Sequence, residues 1–123
     1  MQGLVDARLQ AQVAEAVRLE ADAAAEAADA ARLAGKERIS GPAANEFYDR
    51  CLTRHLVRAA RSQGAEGRLF DQAVSACAAT RAALVEQNGP MLDAMLNTDE
   101  RLQREGAPAL VRALRAQREA SAR

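Results

Sequence analysis

The chain has 123 residues and a formal net charge of zero, with 17 basic residues against 17 acidic ones. That length suits one domain, and the neutral balance gives no bulk attraction to nucleic acid or to an anionic membrane. Apolar residues make up 49% of the chain, but 31 of them are alanine and only three are aromatic. This excludes the strands of a sandwich or barrel and the stacking platforms of single-strand nucleic-acid binding, and it leaves a thin core.

Glycine and proline punctuate the chain. Gly35, Gly41, Gly64, Gly67, Gly89 and Gly106 fall in breaks, and Pro42, Pro90 and Pro108 each follow one. Glycine past a helix end and proline at the next helix start is the asymmetry helices show. The pattern predicts a single all-α domain over 1–123, an antiparallel bundle of four main helices. Helices are expected at about 4–34, 43–62, 67–87 and 91–104, with a short basic one at 108–120. Asn97-Thr98-Asp99-Glu100 offers a second cap that would split the fourth.

The first helix carries Val5, Leu9, Val13 and Val17 on one face, continued by Ala24, Ala27, Ala31 and Ala34. Glu15, Asp22 and Asp29 lie opposite, with Glu26 beside them. Leu19 and Leu33 fall on this charged side, where a monomer gains nothing from them, so both are candidate partner-facing residues. The second helix sets Tyr48, Leu52, Leu56 and Ala59 on one face and Arg50, Arg54, Arg58 and Arg61 along another. The short connection makes these two helices antiparallel neighbours. Asp22, Glu26 and Asp29 would then run beside Arg50, Arg54 and Arg58 as intramolecular ion-pair faces. The other reading of the arginine stripe is a phosphate-binding face for nucleic acid, which a neutral chain disfavours.

His55, the only histidine, sits between the apolar face and the arginine stripe. Cys51 lies one turn before it and Cys77 falls on the next helix, three ligands with no obvious fourth and no CxxC pair, so no metal is expected. In an antiparallel hairpin turning near residue 64, the two cysteines are close in height. Two reduced core cysteines are the expectation in a cytosolic protein. The stretch His55-Leu56-Val57-Arg58-Ala59-Ala60-Arg61, with Gly64 and Gly67 beyond, resembles the motif of histidine-containing phosphotransfer domains. That motif places Lys and Gly where this chain has Arg58 and Ala59, and a small residue where it has Arg61. The resemblance implies His55 as phospho-acceptor, and it stands as the alternative function.

The third helix groups Phe70, Ala73, Val74, Cys77 and Leu84, with Arg81 in the same arc needing to snorkel or find a carboxylate. The last helix offers Leu110, Val111 and Leu114, with Arg112, Arg115 and Arg118 as candidate partner-facing bases. No glycine-rich phosphate loop or nucleophile elbow is present, so neither enzyme activity nor a cofactor is expected. Residues 1–35 carry net −3 and residues 101–123 net +4, which suits contact between copies or docking on charged neighbours. Without a leader pattern or an apolar run of about 18 residues, the expected location is the cytoplasm or a particle assembled there. The expected function is that of a small helical interaction or assembly protein, a subunit or adaptor that binds protein partners or itself, not membranes or nucleic acid.

Overall fold

The computed structural model describes residues 2–122, and side chains from residue 7 onward. The fold is all-α: α1 (Gln2–Ala21), α2 (Ala23–Ala34), α3 (Pro42–Ala60), α4 (Glu66–Ala76), α5 (Ala78–Asn88) and α6 (Pro90–Ser121), with no strand among the described residues. α3 is the hub and packs against α1, α4, α5 and α6. Its Phe47, Tyr48, Leu52, Leu56 and Val57 meet Val13 and Ala16 of α1, Leu69, Phe70 and Ala73 of α4, and Leu96, Val111 and Leu114 of α6 in one core. Val5 of the predicted stripe lies outside the described side chains.

Three helix boundaries differ from the sequence expectation. The long first helix breaks at Asp22 (φ −85°, ψ 82°), whose carboxylate accepts from the Ala25 amide at 2.9 Å. Alanine favours an unbroken helix here, but an aspartate side chain that can cap competes with the backbone. The resulting bend turns α2 over α3. The expected 67–87 helix bends at Cys77 (φ −99°, ψ 9°), which ends α4 and opens α5. The expected break before Pro108 does not occur, and Asn97–Glu100 caps nothing, because α6 runs through both. Proline inside a helix forfeits a hydrogen bond and costs about 3 kcal/mol. Burial of Ala107, Val111 and Leu114 on either side of it works against that cost.

The helix ends set the path of the chain between elements. α2 ends with Gly35 at the cap and Lys36 in the left-handed region (φ 56°). The Lys36 amide donates to the Leu33 carbonyl and the Glu37 amide to that of Arg32, a Schellman closure. Gly41 (φ 62°) and Gly89 (φ 84°) stand immediately before Pro42 and Pro90, in backbone that side chains rarely tolerate. The 35–41 connection is pinned to the end of α5. Gln87 accepts from the Ile39 amide and donates to the Glu37 carbonyl, while Asn88 donates to the carbonyls of Ile39 and Leu84. Ile39 is thereby buried in the core.

Candidate functional site

α2 and the end of α1 face α3 through an ion-pair seam. Asp29 accepts from Arg50 Nε at 2.9 Å and Nη2 at 3.0 Å, and from Arg54 Nη1 at 2.8 Å. Arg58 binds Glu26 with both terminal nitrogens, and Arg61 reaches Glu20. All four arginines of the stripe are therefore engaged by carboxylates, which leaves no free row of cations for phosphates. Burial pushes the Asp29 carboxyl up, but hydrogen bonds from Arg50 and Arg54 outweigh it and hold it below the ordinary range. The Arg58 hydrogen bond holds Glu26 low in the same way. Asp22 leaves the expected row, because its carboxylate is spent on capping α2. Glu20 takes its place. The sequence pattern did not single it out, although Arg61 as a fourth cation called for a fourth acid.

Among the described residues, Arg54 is the one charged residue whose side chain is buried. Its Nε approaches the Leu19 carbonyl at 3.5 Å, and its Nη2 is buried without a partner. Arg50 also lies over the Phe47 ring, 5.3 Å from its centre.

Beside this seam lies an open cavity of about 430 Å³ between α2, α3 and the α4–α5 bend, lined in part by Glu26, Leu33, Phe47, Cys51, His55 and Thr80. Cys51 and Cys77 meet at its wall and are joined by a disulfide, with Cα atoms 6.1 Å apart. This overturns the expectation of two reduced core cysteines. The hairpin register did bring them level, and the bend at Cys77 sits at the bonded residue. His55, one turn after Cys51 on α3, brings a ring nitrogen within 4.8 Å of both sulfurs. Burial, then the charge of Arg58, lowers the His55 pKa against a smaller opposing pull from Glu26. The imidazole is half-buried, with Glu26 and Asp29 lining the same cavity.

Of the basic residues expected to face a partner, Arg115 is half-buried, while Arg112 and Arg118 are exposed and also bond within the chain. Arg115 donates to the carbonyls of Ala60, Ser62 and Gly64, closing the C-terminus of α3 with a cation where the helix dipole favours one. Arg118 donates to the Arg61 carbonyl and Arg112 to Glu66. Leu33 packs against the core and Leu19 is half-buried, which removes the ground for calling either one unused by a monomer. Arg81 finds the carboxylates that its place required, Asp93 at 2.6 Å and Glu100 at 3.2 Å. Glu100 also accepts from the buried Tyr48 hydroxyl, whose pKa rises through burial and that carboxylate.

A second open groove, about 570 Å³, runs between α1 and α6 over α3 and the start of α4. Leu19, Leu56, Phe70, Leu102, Ala107 and Leu110 line it, and Arg8, Gln12, Glu15 and Gln103 edge it. Leu102 stands at its margin, 62% exposed, a position that no pattern in the sequence marks out. Beyond these sites, no helix among the described residues is long and apolar enough to cross a membrane. Comparison with known protein families, with characterised proteins and with solved structures finds no match to this chain.

Proposed function

We propose that the chain is a non-enzymatic helical interaction protein, a bundle built around α3 that works as a subunit of an assembly. The observation that carries this reading is the apolar groove between α1 and α6. A groove of this shape takes an apolar ridge from a helix. Its edges mix one base, one acid and two amides, so charge gives no preference for a strongly acidic or basic partner. The same patch holds both a knob, the exposed Leu102, and a hole walled by Leu19, Leu56, Phe70 and Leu110. A surface that carries its own complement suits a two-fold, isologous contact, so the occupant we assign is a second copy. The opposite charges of the two ends contribute less than the sequence suggested. Arg112, Arg115 and Arg118 of α6 already have partners within the chain, and so do Glu26 and Asp29 of α2.

Sedimentation velocity on the purified chain tests the assignment. The wild type is expected to sediment as a dimer at micromolar concentration, and Leu102→Glu as a monomer with unchanged helical circular dichroism. A wild type that stays monomeric at high concentration, or a Leu102→Glu variant that dimerises as well as the wild type, overturns it.

A further inference from the structure

Cys51, His55 and Cys77 place three soft or borderline ligand atoms within 4.8 Å of one another. Three features make this more than a covalent staple. Cys51 and His55 are four residues apart on α3, so both project from one helical face. The His55 ring is half-buried against the same wall, with a nitrogen within reach of both sulfurs. Finally, Cys51 and His55 both face the open cavity, which gives an ion a way in, while Cys77 is fully buried behind them. The three atoms of a tetrahedral zinc site with Zn–S of about 2.3 Å and Zn–N of about 2.0 Å lie about 3.5–3.8 Å apart. The two sulfurs must separate from their bond, and the imidazole must close by about 1 Å, both within reach of side-chain rotation.

We propose that these three residues form a redox-gated zinc site, closed as a disulfide and opened by reduction. A dithiol reductant supplies two electrons and two protons. It leaves as its own disulfide, and the Cys51–Cys77 bond becomes two thiols. Zn²⁺ then binds two thiolates and the neutral imidazole, and the two thiol protons go to solvent. The fourth position faces the cavity and holds water, since the two acids that line it are held by arginines, Glu26 by Arg58 and Asp29 by Arg50 and Arg54. Oxidation reverses the sequence. An oxidant of the disulfide class takes the electron pair, the sulfurs rejoin, and the zinc is released.

The test uses the full chain, reduced anaerobically with a phosphine that leaves as its oxide, and Zn²⁺ alone as probe. Competition against a chromophoric chelator is expected to show one zinc per reduced chain and none per disulfide-bonded chain. Zinc is also expected to protect both thiols from alkylation. His55→Gln, which leaves the disulfide intact, is expected to weaken zinc binding by about tenfold or more. The site is refuted if the reduced chain takes up no stoichiometric zinc, or if His55→Gln binds as tightly as the wild type. It is equally refuted if reduction unfolds the chain and zinc fails to restore its circular dichroism, because binding to a native site is folding energy.

Discussion

Asp29 is the residue on which the α2–α3 seam depends. One carboxylate serves two guanidiniums, and one of these, Arg54, is buried. Removing one member of a buried pair leaves an uncompensated charge, whereas replacing the charge with an apolar group of similar volume is often neutral. Asp29→Ala is therefore expected to cost about 3 kcal/mol of unfolding free energy in urea titrations. Arg54→Met should cost much less, since Asp29 keeps Arg50 and the unpartnered Nη2 disappears with the side chain. Equal losses from the two substitutions would show that the Arg54 charge is not the strained member. The pairing of Glu26 and Asp29 with the stripe was legible in the sequence, because steps of three and four residues hold wherever both helices are regular. Asp22 was misread because its short carboxylate has a local use, the capping of α2, which a helical wheel does not represent.

At the scale of elements, the bends carry most of what the sequence hid. A straight first helix puts Leu33 among charges. The break at Asp22 reorients α2, and Leu33 reaches the core. Pro108 misled in the opposite direction, since propensity forbids what tertiary burial on both sides of it allows. The seam between α3 and α6 adds an element-level property that no pattern announced. Gln103 Nε2 on α6 donates to Asp49 Oδ1 at 2.7 Å and to Asp99 Oδ2 at 2.8 Å. Burial first, then the neighbouring Asp99, pushes the Asp49 carboxyl up to about 8. An unfolded aspartate titrates near 3.9, so the folded chain holds this proton where the unfolded chain has lost it. The seam's contribution is complete at pH below about 4 and drains away as pH rises toward 8. Asp49→Asn carries a permanent donor toward Asp99. Its stability relative to the wild type should therefore climb across that window in thermal melts taken at successive pH values. A constant difference between the two proteins would mean that Asp49 is ionised throughout.

For the whole molecule, the alanine count and the disulfide belong together. Alanine lets helices approach closely but buries little area, so the core rests on a few large side chains clustered around α3. Small domains with limited cores are commonly held by a covalent cross-link. Here the cross-link ties the hub helix to the α4–α5 bend, between elements that already touch, and closes a loop spanning 26 residues. Chain entropy assigns a loop of that size about 3.5 kcal/mol, a large part of the 5–15 kcal/mol typical of a native domain. The sequence hinted at this pairing through hairpin register. It did not fix the pairing, because the rotation of Cys51 toward Cys77 depends on the bend between α4 and α5. The double variant Cys51→Ala/Cys77→Ala should remain helical but lose about 3 kcal/mol of unfolding free energy in guanidinium. The wild type kept in reductant and a chelator should lose a similar amount. If the variant unfolds at the same denaturant midpoint as the oxidised wild type, the loop is already constrained in the unfolded chain. The thin core would then be holding the fold without help from the cross-link.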